Sequence, residues 1–378
     1  MTERWTRAIV VTPRHGGADG VSAVSRAYVE ALASPFGARI GRVDVWTLDE
    51  PARDRDPVVP ATSGATIQVR CARGRRLVFV TYGLRERAVD PGTLVVVQHV
   101  HLLPAVLPLV ARGARVVIVM HGIEAWTRLR PVERLACRAA WKRAAVSAHT
   151  RRRFLEANPE LASLPVEVCA PGLPSAAPTP SLAVPGLYAL IVARMHAAER
   201  YKGHDELIEI WPRVRARVPD ARLVIAGGGD DSARLELKAA ALGVADAVTF
   251  EGVVDEARLH ALYRHAAVFA MPSLHEGFGL VYVEAMRAGV PCIVAPGAAE
   301  EIVDHERTGL VIPGRDAAAL ERALVRLLTR HDERSRMGAA AREAAGRFSA
   351  DAFRRRLAAL LEIPSAPAPL ATETTAAC

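Results

Sequence analysis

Residues 266–297 read AAVFAMPSLHEGFGLVYVEAMRAGVPCIVAPG. The stretch opens on a short apolar run, VFAMPS, and closes on another, CIVAPG. Between them lie the loop LHEGFG and the amphipathic run GLVYVEAMRAG, whose Gly289 is a helix stop signal. Strand, loop, helix, strand is the unit of a parallel sheet covered by helices. The loop carries Glu276, and the helix carries Glu284 eight positions on. A plain strand-to-helix connection needs neither carboxylate.

The same alternation runs outward in both directions. Upstream, the apolar runs are AIVVTPRH (8–15), RVDVWTL (42–48), TIQVRCA (66–72), LVFVTYG (77–83), TLVVVQHVH (93–101) and RVVIVMHG (115–122). In the second half they are LYALIVARM (187–195), ARLVIAGGG (221–229), AVTFEG (247–252), AAVFAMPS (266–273), CIVAPG (292–297) and GLVIPG (309–314). Each is expected to be a strand. The runs are continuous rather than alternating, as strands buried on both faces require. Residues 174–186, PSAAPTPSLAVPG, hold four prolines and no charge, and read as a linker. The expected fold is therefore α/β, with two Rossmann-like doubly wound domains, residues 1–176 and 186–346. A helix over 349–363 with Ser349 as its N-cap follows, and the tail 364–378 is expected to be disordered.

The chain length of 378 residues suits two domains of about 100–200 residues each. Its hydrophobic content of 51% can fill two cores. The charge balance, 49 Lys and Arg against 41 Asp and Glu, leaves +8 and fits anionic partners such as phosphates, nucleotides or an acidic membrane surface. The five cysteines form no C-x-x-C pair, so a disulfide framework or a zinc site is not expected and a reducing compartment fits. MTERWTRAIVV lacks the apolar core of a signal peptide, and no uncharged apolar run of about 18 residues occurs. A cytoplasmic location is expected.

In doubly wound sheets ligands bind beyond the carboxyl ends of the strands. With two such sheets the natural site is a cleft where those ends face each other. On one wall, the Gly277–Phe278–Gly279 turn lets backbone N–H groups meet an anion at a helix N-terminus. Glu276 and Glu284 flank that place. Carboxylates repel phosphate but accept hydrogen bonds from hydroxyls, so the anion should carry hydroxyl-rich groups on both sides. A nucleotide diphosphate sugar has this layout. Arg194 ends the run 187–195 and Lys202 follows it, both placed to neutralise a diphosphate leaving group.

The ordered series ARM…ERYKGHDELIEIW, DARLVIAGGGD, VTFEGVV, LYRHAAVFAMPSLHEGFGLVYVEAMRAGVPCIVA and ERTGLVIPG, over 187–314, resembles the family 4 retaining glycosyltransferases of the GT-B fold. The first half resembles them more loosely, in HGGADGVSAVSRAYVEAL, VIVMHGIEAW, AAVSAHTRRRF and VCAPGLP, the last lacking the Asn common there. The resemblance implies two Rossmann-like domains facing each other across a cleft, with the 349–363 helix packed back on the first. It implies that Glu284 holds the ribose and Glu276 the donor sugar. The backbone from Gly277 through Phe278 and Gly279 to Leu280 would meet sugar and phosphates. Arg194 and Lys202 would take the diphosphate, although HAAERY separates them by more residues than is common. The base would stack near Gly252 and Val253. His121 would reach the sugar near its reacting carbon.

Gly16 and Gly17, after the first strand, are expected to approach the donor's phosphate or sugar. His99 and His101 would point the same way from one strand and line the acceptor side, with no third ligand to suggest a metal. Asp54 and Asp56 in ARDRDP follow no apolar strand and read as a solvated loop, so neither a metal nor another cofactor is expected. The segments 126–154 and 70–76 are Arg-rich, with Trp126 and Trp141 among the cations of the first. They are read either as a solvated face or as a peripheral membrane contact at the inner face of the plasma membrane. No nucleic-acid motif accompanies the charge.

The expected activity is retaining, metal-independent transfer of a hexose-type sugar from a UDP- or GDP-linked donor to a hydroxyl of a glycan, glycolipid or small molecule. The setting would be bacterial cell-surface polysaccharide or glycoconjugate biosynthesis. A GT-B sugar phosphorylase, a nucleotide-sugar epimerase and a non-catalytic nucleotide-sugar binder are the alternatives. AGGGDD (226–231) alone would favour a dehydrogenase.

Overall fold

The computed structural model describes residues 5–17, 19–34, 40–50, 58–60, 65–174 and 186–363. Most of the expected linker, the tail 364–378 and the Asp54–Asp56 loop lie outside these residues.

The first sheet contains β1 (Arg7–Thr12), β2 (Arg42–Thr47), β3 (Val58–Pro60), β4 (Thr66–Cys71), β5 (Thr93–Val97), β6 (Arg115–Met120), β7 (Lys142–Ala145) and β8 (Glu167–Val168), in the order β3-β4-β2-β1-β5-β6-β7-β8. Every pairing is parallel except β3 with β4 at the edge. The second sheet contains β9 (Tyr188–Val192), β10 (Arg222–Ala226), β11 (Val248–Gly252), β12 (Val268–Met271), β13 (Cys292–Val294) and β14 (Gly309–Val311), all parallel in the order β11-β10-β9-β12-β13-β14. The strand order reverses beside β1 in the first sheet and beside β9 in the second. Those are the switch points at which doubly wound sheets hold ligands. The central strands β5, β6, β9 and β12 are buried almost throughout, which is why they read as unbroken apolar runs.

LVFVTYG is not a strand. It lies in the helix Arg76–Arg85, with Phe79 and Gly83 buried four residues apart on one face. Leu77 is 85% and Leu84 54% exposed. The chain must cross from β4 on one side of β1 to parallel β5 on the other, and such a crossover is normally helical. That demand overrides the β-propensity of Val-Phe-Val-Thr-Tyr. Gly83 is required by the fit: a Cβ there would stand 2.0 Å from the Ala105 carbonyl oxygen.

β7 was not expected, because its sequence is KRAA. Arg143 is nevertheless 5% exposed. Its guanidinium donates to the carbonyls of Cys137 (2.8 Å), Arg138 (3.0 Å) and Ala140 (2.8 Å), and so caps the end of the helix Pro131–Ala139. The segment 126–154 is thus not one basic helix face. Trp141 packs on Trp5 (5.5 Å between ring centroids) and under Arg115 (5.2 Å).

The helix Ala350–Leu360 begins at the N-cap Ser349, whose Oγ accepts from the Ala352 N–H. It lies against the Gly20–Ala33 helix of the first sheet, with Phe353 edge-on to Tyr28 at 5.0 Å. The Leu173 N–H donates to the Phe348 carbonyl at 2.9 Å, so the chain recrosses to the first lobe beside the point where it left.

Candidate active site

A cavity of about 610 Å³ opens where the carboxyl ends of the two sheets face each other. The second lobe supplies Ala193 and Arg194 after β9, Gly227–Gly229 after β10, Val253 after β11 and Glu276 and Gly279 after β12. The first lobe closes it with Arg14, Asp19 and Gly20, just after β1. Both switch points therefore look into one space.

Lys202 and Glu276 share that wall and pair across it, Nζ to Oε1 at 2.7 Å, with 16% and 12% of their side chains exposed. Arg194 pairs with Glu199 at 2.5 Å. The extra residues between Arg194 and Lys202 form a 3-10 helix, Ala197–Lys202, which supplies Glu199 and returns Lys202 to the wall. Gly203 follows with φ +98°, packed so closely that a Cβ would stand 2.7 Å from the Pro272 ring.

The helix Leu280–Arg287 starts at Gly279 (φ +101°) with no side-chain cap. Gly279, Leu280 and Val281 line the cavity, so the positive end of the helix faces it. Phe278 is buried edge-on to Phe348 at 5.4 Å and anchors the turn. Gly277 faces the other lobe. A Cβ on it would stand 1.6 Å from the His121 carbonyl oxygen. Glu284 Oε2 accepts from the Tyr263 hydroxyl at 2.8 Å. Burial pushes the Glu284 carboxyl above its ordinary range, and the Tyr263 hydrogen bond only partly opposes this. Gly252 turns at φ +65° and leaves Val253 82% exposed at the cavity rim.

The first-lobe expectations shift. The Gly16 N–H donates to Glu50 Oε2 at 2.8 Å, so it is already occupied. Gly17 is hemmed in by Asp19, Ser22 and Arg14, each within 2.7 Å of where its Cβ would be. Neither glycine is a wall residue; Arg14, Asp19 and Gly20 are. His121 is also outside the cavity wall. Its Nε2 faces Gln98 Oε1 at 2.8 Å, which puts the ring proton there. Past the end of β5, His99 is the N-cap of the 3-10 helix Val100–Val106 and His101 lies in its first turn, with ring centroids 5.1 Å apart. They line a different cavity, of about 640 Å³, with Arg76, Phe79 and Arg130. His101 Nδ1 lies 2.8 Å from Glu133 Oε1. Among the described residues no cluster of three His, Cys, Asp or Glu side chains is placed to hold a metal.

Burial sets the charge of three histidines. It lowers His121 to about 3, His99 to about 4 and His204 to about 4. In the unfolded chain these imidazoles titrate near 6.5. Between that pH and about 4 the unfolded chain holds protons that the fold excludes, so acid favours unfolding. Each contributes a slope of about 1.4 kcal/mol per pH unit there. The melting temperature is expected to fall steadily from pH 6.5 to 4.5, and a flat profile in a pH-scanned thermal melt would contradict these assignments.

The glycines after β10 were missed as wall residues. Their signal was the run GGG itself: Gly227 (φ +134°) and Gly229 pass so near the β9 turn that a Cβ would stand 2.0 Å from the Ala193 oxygen and 1.9 Å from the Met195 oxygen.

Comparison with known proteins fits this geometry. Residues 188–344 match the family described as glycosyl transferases group 1. The GDP-mannose-dependent alpha-(1-6)-phosphatidylinositol monomannoside mannosyltransferase of Mycobacterium tuberculosis is 37% identical over 256 residues, covering 62% of this chain and 65% of that protein. The match thus spans less than two-thirds, 65%, of the length of the first curated relatives. The D-inositol 3-phosphate glycosyltransferase of Stackebrandtia nassauensis is 36% identical over 171 residues, 43% of this chain and 39% of that one. Among solved structures, sucrose-phosphate synthase from Thermosynechococcus elongatus superposes with a TM-score of 0.76 at 22% identity, over 94% of this chain and 98% of that one. Anabaena HepE in complex with UDP and glucose gives 0.73 at 17% identity, over 94% and 99%. These likenesses show the fold: the two-lobed GT-B arrangement expected from the sequence.

Proposed function

We propose that the chain is a retaining, metal-independent glycosyltransferase of the family 4 type that takes a sugar from a nucleotide diphosphate donor, with GDP-mannose the first candidate. One observation carries the reading: a single cavity wall presents Arg194, Lys202, an uncapped helix N-terminus and the carboxylate of Glu276. The cations and the helix end suit a diphosphate, and the carboxylate suits sugar hydroxyls. GDP-mannose and an inositol-bearing acceptor are favoured because the curated relatives are named for them.

In the reaction the bond from the anomeric carbon to the diphosphate oxygen breaks with its electron pair on the phosphate. Arg194 and Lys202 stabilise that charge. The acceptor oxygen bonds to the same face of the anomeric carbon, and its proton passes to the departing phosphate oxygen. Glu276, once Lys202 turns to the phosphate, accepts from sugar hydroxyls. Burial keeps His121 neutral, and its Nε2 lies against Gln98 Oε1 outside the cavity wall, so a contact with the bound sugar falls to its other ring nitrogen. Glu284 serves the ribose, and Gly252 with Val253 the base.

The test is a thermal-shift panel of nucleoside diphosphates followed by an acceptor assay. GDP or GDP-mannose at a hundred times its dissociation constant should stabilise the fold by about 2.7 kcal/mol. Free GDP should accumulate only when an acceptor is present. Conversion of the donor without acceptor supports the epimerase reading instead, and phosphate-dependent release supports the phosphorylase. Chelator-insensitive turnover tests metal independence.

Membrane contact belongs to the same proposal, carried by the Pro131–Ala139 helix within the Trp126–Trp141 stretch together with the Arg76–Arg85 helix. Leu77 and Leu84 on one helix and Leu135 (59%) on the Pro131–Ala139 helix are exposed, among exposed Arg75, Arg76, Arg85, Arg130 and Arg138. Both helices flank the cavity that His99 and His101 line, which suits a lipid-borne acceptor entering there from the inner face of the plasma membrane. Leu77→Glu with Leu135→Glu should weaken co-sedimentation with anionic vesicles by about tenfold or more. Unchanged binding refutes this face.

A further inference from the structure

The lobes meet at one helix end. The Ala148–Ala157 helix of the first lobe begins at the N-cap Ser147. Its first two N–H groups, of Ala148 and His149, donate to the two carboxylate oxygens of Glu301 at 2.8 and 2.6 Å. Glu301 belongs to the second lobe, on the 3-10 turn Ala298–Glu301 after β13. On the same helix end, Ser147 Oγ (2.6 Å) and Thr150 Oγ1 (3.0 Å) both donate to the carbonyl of Gly277. Gly277 is the neighbour of Glu276. A chain of rings continues the contact: Trp126 lies 5.3 Å from His149 and 6.4 Å from His275, and Tyr201 lies 5.3 Å from His275. His275 precedes Glu276, and Tyr201 precedes Lys202.

We propose that Glu301 is a positioning residue: its carboxylate latches the second lobe onto the amino end of the Ala148–Ala157 helix, and so holds the 275–279 loop, with Glu276 on it, against the first lobe. A carboxylate suits this place because it accepts from both N–H groups at once and opposes the positive end of the helix dipole. The bonds join residues of different sheets, so they exist only while the lobes are together. Water replaces them on opening, which makes the latch reversible. An amide cannot reproduce it, since the NH₂ of a glutamine would face one of the two N–H donors. That the latch controls transfer rests on the function proposed above; that it controls closure does not.

The experiment compares wild type with Glu301→Ala, Glu301→Gln and Thr150→Val. Glu301→Ala should lower kcat by about 10- to 100-fold, while nucleoside diphosphate affinity, whose wall comes mostly from the second lobe, stays within about threefold. Glu301→Gln should fall between. Thr150→Val, which keeps the shape and removes one donor, should act in the same direction more weakly and covers the case of an alanine variant that does not fold. Small-angle scattering without any substrate should show a larger radius of gyration for Glu301→Ala. An unchanged radius of gyration in both Glu301 variants overturns the latch. A wild-type protein that transfers no sugar overturns the proposed function and leaves the scattering comparison to decide the latch.

Discussion

Lys202→Ala is expected to lower turnover by about a hundred- to a thousandfold, the effect of deleting a preorganised donor to developing charge. The ammonium lies 2.7 Å from Glu276 with 16% of its side chain exposed, so it is held on the wall rather than free in solvent. In the proposed mechanism its partner changes during the reaction. Before the donor arrives Lys202 neutralises Glu276; when the diphosphate enters, the ammonium has a stronger acceptor and Glu276 is released to the sugar. Removing Lys202 therefore harms both roles. It leaves a carboxylate pointing at an anionic ligand, and it removes charge from the leaving group. Stability should fall by only about 1–2 kcal/mol, because the pair borders a cleft that water can enter. Steady-state kinetics with a nucleotide-release readout checks this, and wild-type turnover would remove Lys202 from the mechanism. Arg194 should matter less, since Glu199 competes for it at 2.5 Å and its side chain is 56% exposed.

Gly277→Ala is expected to reduce transfer by about a hundredfold or more while each lobe stays folded. Its Cβ would fall 1.6 Å from the His121 carbonyl oxygen and 2.8 Å from the Gly122 Cα, both in the first lobe. Carbon and oxygen in contact sit about 3.3 Å apart, so the lobes must separate by more than an ångström locally. The Ser147 and Thr150 hydrogen bonds to the Gly277 carbonyl would lengthen with them. Nucleoside diphosphate binding should persist, because the second lobe supplies most of that wall. A kcat loss with a nearly constant dissociation constant, measured by turnover and calorimetry, is the signature. A variant that turns over normally shows that the lobes do not need this contact.

The second lobe was legible almost strand by strand. Its runs coincide with β9 to β14, and Arg194, Lys202, Val253, Glu276, Gly279 and Leu280 all line one cavity. The reason is physical: strands buried on both faces must be apolar throughout, and ligand-facing glycines and charges must follow them directly. Legibility failed where tertiary context outweighed local preference. LVFVTYG became a helix because the crossover from β4 to β5 required one. KRAA became a strand because Arg143 found three carbonyls to satisfy it. Gly16 looked like a phosphate contact, but nothing in the sequence shows that Glu50, 34 residues away, takes its N–H. Glu301 was invisible for the same reason, since its partners lie 152 and 153 residues away on the other lobe.

The most direct measurement is a crystal structure of the protein with GDP-mannose or GDP bound. The expected result places the diphosphate on the open helix end at Gly279–Leu280, within hydrogen-bond reach of Lys202 and Arg194, with Lys202 drawn away from Glu276 and the sugar beside that carboxylate. A nucleotide bound outside the cleft, or one inside it with the Lys202–Glu276 pair intact and its phosphates turned to solvent, would contradict the central claim.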